Sequence, residues 1–481
     1  MKKPSLNLTM IMDLYELTMA NGVFGSDMKD TITYFDMFFR RVPDKGGYAI
    51  MAGLEQLIEY MNNLEFTDED IEYLTSLNLF RPEFIDYLRD FKFTCDVWAV
   101  PEGTVIFPHE PIVTVRGPIM QALMVETMLL VTINHQSLIA TKANRIVRAA
   151  AGKPVMEFGA RRAHGHGASY YGARAAIIGG CTGTSCLLTA KDFGVKASGT
   201  MAHSWVQLFP DEYTAFKTYA EEYPDSCMLL VDTYNVIKSG IPNAIKVFDE
   251  VLKPLGKRPV GVRIDSGDIT YISKKARKML DDAGYPDCKI CVSNSLDEHL
   301  IRDMIFQGAQ VDSYGVGERL ITASSEAVFG GVYKLSAVDK NGEIIPKIKI
   351  SENDAKITIP GVKIPWRLYD RKTGKAIADV ITMGHEKINS SEPYEIFDPN
   401  HTWKRKVVTD FVALKLQAKI FENGKQVYDC PTVKEISDYR KQQVDSMWDE
   451  VTRFENPHTY YVDLSEELWQ LRQDLLNKHS K

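Results

Sequence analysis

Seven short apolar runs punctuate the stretch from residue 153 to about 330, at 155–158, 180–182, 195–198, 228–232, 260–265, 290–294 and 311–314, with helical or polar segments between them. Strands that pair in parallel need a crossover connection, usually a helix, so this rhythm dictates an α/β fold made of β-α repeats. Such repeats close into a barrel or spread into an open doubly wound sheet, and the spacing leaves both possible. In either case chemistry collects beyond the carboxyl ends of the strands.

The flanking segments read differently. Residues 1–150 mix helices with a few strands and form an α+β unit: residues 31–40 alternate in strand fashion, and Thr67 with Asp70 three residues later has the form of a helix capping box. Residues 118–151 are apolar on most faces and predict one long buried helix leading into the β-α region. Beyond Gly330 the pattern turns to β-like pieces at 332–338 and 344–350 around Asn341 and Gly342, a hairpin signal, and the tail from Val433 is helical and charged. The expected division is therefore 1–150, 151–330 and a C-terminal β/helical extension, 331–481, packed on the other domains. No repeat or low-complexity tract is visible.

Composition removes several function classes. A net charge of −7 over 481 residues leaves no basic stripe to neutralise a nucleic-acid backbone. Lys2 and Lys3 precede an apolar stretch broken by Asp13 and Glu16, which argues against a signal peptide. The most apolar segment, residues 119–133, carries Gln121 and Glu126 and falls short of an uninterrupted membrane span. Seven scattered cysteines do not form a disulfide framework, and a cytoplasmic protein is expected. Cys288 and Cys291 make one CxxC inside a strand-like run, and His164 and His166 have no matching partners, so no metal-ligating set is assigned.

Polar clusters follow each strand-like run: residues 157–162, 183–185, 200–204, 232–235, 263–268, 293–295 and 315–317. A packed core has no need of arginines, aspartates, hydroxyls and glycines at the same place in seven consecutive units; a shared pocket for a charged ligand does. Ser293, Asn294 and Ser295 precede a helix expected at Asp297, and Gly315 and Gly317 let backbone N–H groups approach phosphate oxygens. Arg161, Arg162 and Arg263 supply forked donors for phosphate or carboxylate. Arg263 and Asp265 share one face of a strand, since the side-chain period is two. Asp265 and Asp268 suit ribose hydroxyls or water around Mg²⁺, with helix capping the alternative for Asp268. His203 follows a strand-like segment ending at Gly199 and stands among small residues with Thr200 and Ser204, where an imidazole can meet a phosphate.

In this order, residues 13–19 (DLYELTM), 157–161 (EFGAR), 183–185 (GTS), 199–204 (GTMAHS), 261–268 (GVRIDSGD) and 314–317 (YGVG) resemble the nicotinate phosphoribosyltransferases of the type II phosphoribosyltransferase superfamily. The resemblance implies an irregular, TIM-like α/β barrel with an N-terminal domain, and a homodimer whose active sites are completed across the interface. It implies conversion of nicotinate and phosphoribosyl pyrophosphate to nicotinate mononucleotide and pyrophosphate, coupled to ATP through a phosphohistidine at His203, with Mg²⁺. Tyr15, from the other subunit, and Phe158 match the aromatic pair that sandwiches the pyridine. Arg161 and Asp265 join His203 as catalytic candidates. Ser185, Thr200 and Arg263 fall to nicotinate, and Arg162, Asp268, Ser293, Asn294, Gly315 and Gly317 to the phosphoribosyl group.

Ser185 bears on acceptor choice. The related nicotinamide enzyme has an aspartate at the matching site, and two like charges ~4 Å apart repel by ~4 kcal/mol at an effective dielectric of about 20. Serine removes that penalty and donates a hydrogen bond, so acid is expected over amide; capping of the helix near Cys186 is the alternative role. After Gly317 some relatives carry threonine, whereas Glu318 and Arg319 follow here, leaving Glu318 unassigned and Thr322 as a substitute donor. Competing readings are a nicotinamide or quinolinate acceptor, a phosphosugar-binding regulator without turnover, and a Schiff-base lyase using Lys191 or Lys196.

Overall fold

The backbone of the chain, seen in a computed structural model that describes residues 7–479 with Asp354 by its backbone alone, groups into two compact units. One comprises Met1–Leu138, Val328–Pro431 and Asp438–Lys481; the other comprises Ile139–Ala327 and Thr432–Ser437. The sequence suggests three consecutive segments, but the first and third share one unit. The reason is a strand pairing: Ile32–Phe38 lies between Val113–Pro118 and Val332–Lys340, antiparallel to both. Lys2 and Lys3 lie outside the described residues.

The first unit carries a seven-stranded sheet in the order Glu343–Pro346, Val332–Lys340, Ile32–Phe38, Val113–Pro118, Asp96–Ala99, Ala418–Glu422, Lys425–Gln426. The expected hairpin is present: Asn341 and Gly342 take φ of 57° and 89°, the left-handed pair a two-residue turn demands, and Lys340 faces Glu343. Residues 347–350 lie beyond the strand. The capping box also forms, with Thr67 and Asp70 bonding each other's backbone N–H at the start of the helix Asp68–Ser76. A four-stranded sheet runs Phe411–Lys415, Lys363–Asp370, Ala376–Met383, Val462–Leu464. Arg367 and Asp379 face each other there, both fully buried, in a two-pronged pair of 2.7 and 2.6 Å. Gln443, the Val105 carbonyl and the Tyr460 hydroxyl complete the network, so these charges are buried with partners.

The expected helix over 118–151 is two, Ile119–Leu123 and Glu126–Ala149. Ile119–Ala149 is long and apolar enough for a membrane by length and composition, but most of its apolar window is buried inside the protein, as in a core helix.

The second unit holds a parallel sheet ordered Val155–Glu157, Ser313–Val316, Lys289–Val292, Gly261–Ile264, Met228–Leu230. Five of the seven apolar runs thus become strands. The other two form no strand: single parallel bridges, Glu157 to Thr184 and Thr184 to Ala197, and a few backbone hydrogen bonds attach these segments to the sheet. Glycine brackets both runs, at Gly180, Gly183, Gly194 and Gly199, which shortens any ladder they could form. A β-carbon at Gly183 would overlap Ser198. Among the described residues no pairing joins Ala197 to Met228–Leu230, so the arc is not a closed barrel. Cys288 and Cys291 belong to this sheet region as buried free thiols, and burial pushes Cys288 up to about 12.

Candidate active site

At the carboxyl ends of these strands a cleft of about 450 Å³ is lined by residues of every strand-end cluster except 232–235. Phe158 and Arg161 come from the turn after Val155–Glu157, and Ser185 from the first bridged segment. Thr200 precedes the helix His203–Leu208; Arg263 and Asp265 stand on and just after Gly261–Ile264. Ser293, Asn294 and Ser295 follow Lys289–Val292, and Gly315 and Gly317 lie at the end of Ser313–Val316.

Phe158 is held from two directions. Its N–H donates to the Val316 carbonyl at 2.8 Å, and its ring lies over Gly315, where a β-carbon would overlap the ring. The glycine expected to meet phosphate therefore also makes room for an aromatic. Arg263 donates to the Thr200 hydroxyl at 2.6 Å and to the Met201 carbonyl at 2.9 Å, while its buried Nε has no hydrogen-bond partner. Asp265 accepts the Ser293 hydroxyl, and its other oxygen is 3.6 Å from His203 Nε2. His203 Nδ1 meets the Thr233 hydroxyl at 3.1 Å. Histidine, aspartate and serine from separate strand-end clusters are thereby linked. Asn294 and Ser295 take φ of 92° and 36°, strained conformations of the kind that gather at functional sites.

Ser185 lines the cleft and does not cap a helix: Cys186 occupies the N-cap position, and its N–H donates to Thr184 Oγ1 at 3.0 Å. Arg162 also lines the cleft, with Nε 3.9 Å from Glu318 Oε2 in an exposed pair, so the acidic residue left unassigned faces an arginine. Asp268 and Thr322 are not among the lining residues, and Tyr15, expected from a second copy, stands on its own helix. Asp268 caps the helix Ile269–Asp282, accepting from the Tyr271 N–H at 3.0 Å. The Thr322 hydroxyl donates to the Glu318 carbonyl at 2.7 Å, outside the lining. Tyr15 belongs to the first unit, 44% exposed on the helix Leu14–Phe24, where burial and then Glu126 push its hydroxyl above the ordinary range.

Other residues of the strand-end clusters receive no individual role from the sequence. Thr233 partners His203, and Asp232 accepts the Ser266 hydroxyl at 2.6 Å while its buried Oδ1 has no hydrogen-bond partner. Both sit in the cluster at 232–235, whose only sequence signal is its place after a strand. Glu157 is fully buried beside Phe158; burial raises its carboxyl, opposed by hydrogen bonds from Thr184 and Gly159.

An aromatic floor, an arginine wall and a serine–aspartate–histidine line suit a planar, anionic ring and a phosphorylated sugar. Sequence comparison agrees with that chemistry. Residues 10–134 match the nicotinate phosphoribosyltransferase N-terminal domain, residues 154–363 the nicotinate phosphoribosyltransferase family and residues 362–472 its C-terminal domain. The nicotinate phosphoribosyltransferase of Bacillus subtilis is 42% identical over 465 residues, 96% of this chain and 94% of that protein. The chain belongs to the nicotinate phosphoribosyltransferase family. As expected of a member of the nicotinate phosphoribosyltransferases, it superposes on the human nicotinic acid phosphoribosyltransferase crystal structure with a TM-score of 0.84 at 27% identity, covering 97% of this chain and 99% of that one. A nicotinate-nucleotide pyrophosphorylase from Pyrococcus furiosus matches with a TM-score of 0.71 at 26% identity over 93% of this chain and 98% of that one.

Proposed function

We propose that this cleft transfers the phosphoribosyl group of 5-phosphoribosyl 1-pyrophosphate to nicotinate, giving nicotinate mononucleotide and pyrophosphate for NAD biosynthesis. The observation that carries the reading is the union in one cleft of Phe158 laid over Gly315, Arg263 clamped to Thr200 and Met201, and Asp265 between Ser293 and His203. Transfer at the anomeric carbon passes through an oxocarbenium-like state, so the protein must hold the pyridine nitrogen in line and neutralise the departing pyrophosphate. Phe158 stacks on the ring, Ser185 and Arg263 take its carboxylate, and Arg161 and Arg162 offer countercharge. The pyridine nitrogen has no proton to lose, so no general base is required of His203.

His203 is instead the phosphate carrier for ATP. Thr233 occupies Nδ1, and Nε2 faces Asp265; an imidazole nitrogen takes the γ-phosphoryl group and ADP leaves. Mg²⁺ fits the donors present. Asp265 lines the cleft and Asp232 has a buried oxygen without a hydrogen-bond partner, while no group of three or more His, Cys, Asp or Glu side chains is placed to hold a metal among the described residues. Asp265 would share a magnesium ion with substrate phosphates, and the ion would supply countercharge there. We take the working form to be a cytoplasmic homodimer, with Tyr15 of a second copy covering the pyridine.

Product chromatography with nicotinate, phosphoribosyl pyrophosphate and Mg²⁺, with and without ATP, tests this reading. Nicotinate mononucleotide that increases with ATP supports it. Product only from nicotinamide or quinolinate moves the acceptor, and no nucleotide from any acceptor favours a binding protein without turnover.

A further inference from the structure

Glu157 is a carboxylate with no exposed surface, set in the last position of the strand Val155–Glu157. One oxygen accepts the Gly159 N–H and the other the Thr184 hydroxyl at 2.6 Å. Its own backbone is tied to the same neighbour, donating to the Gly183 carbonyl and accepting from the Ser185 N–H, both at 2.9 Å. Thr184 in turn accepts the Cys186 N–H and bonds through its backbone to Lys196 and Ser198. Gly159 follows Phe158, and Ser185 follows Thr184. A β-carbon at Gly159 would press on Ile321 and on Glu157 itself, so this turn has no slack.

We propose that Glu157 is the positioning residue of the acceptor half of the cleft: its carboxylate joins the Gly159 turn to the Thr184 segment and so fixes the distance between Phe158 and Ser185. The inference rests on the phosphoribosyl-transfer reading, in which those two residues face the pyridine and its carboxylate. Single bridges and a few backbone hydrogen bonds, rather than a ladder, connect these segments, and the Glu157 carboxylate is the side-chain tie added to them. The bonds of Arg263 to Thr200 and of Ser293 to Asp265 do not pass through Glu157.

The test is steady-state kinetics on the full chain, with nicotinate and phosphoribosyl pyrophosphate varied independently, for wild type, Glu157→Ala, Glu157→Gln and Thr184→Val. In Glu157→Ala the Gly159 N–H and Thr184 O–H lose their buried acceptor, and KM for nicotinate is expected to increase about tenfold or more while that for the donor stays within about threefold. Glutamine still accepts from Gly159 and donates to Thr184, and is expected to restore nicotinate KM to within about threefold of wild type. Equal increases in both KM values, or an unchanged nicotinate KM, overturn the positioning role. If the alanine variant does not fold, Thr184→Val decides: a selective rise in nicotinate KM supports the strut, and none refutes it. A wild-type protein that forms no mononucleotide refutes the functional reading instead, so the two failures are distinct.

Discussion

Ser185 and His203 allow the sharpest single-residue tests. Aspartate at 185 would set a second negative charge near the acceptor carboxylate, and ~4 kcal/mol of repulsion corresponds to about a thousandfold weaker nicotinate binding. Titration calorimetry of Ser185→Asp checks this, and unchanged affinity removes Ser185 from the acceptor site. His203→Ala is expected to abolish ATP hydrolysis while leaving ATP-independent transfer measurable; a variant whose turnover still responds to ATP would take the phosphohistidine out of the mechanism. At this scale most of the cleft was legible, because arginines, glycines and hydroxyls at strand ends are unfavourable in a core and so betray a pocket. Asp268 and Thr322 lie outside the lining for a physical reason: a short polar side chain beside a helix end finds a backbone partner, an N–H for Asp268, whose alternative role from the sequence is this capping, and a carbonyl for Thr322. Glu157 and Thr233 lie in clusters read as a shared pocket, but their own roles were not legible, because a buried carboxylate or threonine carries no mark of its partner, which comes from another strand end.

Between elements, the contact of Phe158 with Gly315 joins two neighbouring parallel strands. Alanine at Gly315 overlaps the ring and must displace it. Gly315→Ala is therefore expected to reduce kcat/KM for nicotinate by about 10- to 100-fold with little change in the far-ultraviolet spectrum, as for an aromatic moved by an ångström. Wild-type kinetics in that variant would show that the ring does not stack on the acceptor. The β-α rhythm foretold five strands correctly and overestimated two. Apolar content is the same in a ladder and in a bridge, whereas glycine at both ends of residues 180–183 and 194–199 decides the pairing length. The hairpin at Asn341 and the capping box at Thr67 were legible because both are local: a few consecutive residues contain the whole cause.

Over the whole molecule, two carboxyls of the first unit make stability depend on pH. Burial pushes Glu16 up to about 7 against opposing bonds from Thr127 and Asp13, and burial with the Asp398 charge pushes Asp463 up to about 7, from 4.5 and 3.8. Between those values the unfolded chain releases protons that the folded chain keeps. Stability therefore falls as pH rises from about 4–5 to about 7 and levels above, a tenfold difference in proton affinity between the folded and unfolded chain being worth ~1.4 kcal/mol. Thermal melts at pH 5, 6, 7 and 8 are expected to show this slope, and Asp463→Asn to flatten it; an unaltered slope would assign it to other groups. The two-unit division was not legible, since pairing across some 300 residues leaves no local sign. The pairing also orders events at the ribosome. The strand Ile32–Phe38 emerges early, but Val332–Lys340 follows only after the whole run Ile139–Ala327 has been made. At ~5–20 residues per second that wait is about 15–60 s, during which an apolar sheet edge stands without its neighbour. A nascent chain arranged this way is a natural client for chaperones, and truncations ending before Val332 leave that edge permanently open.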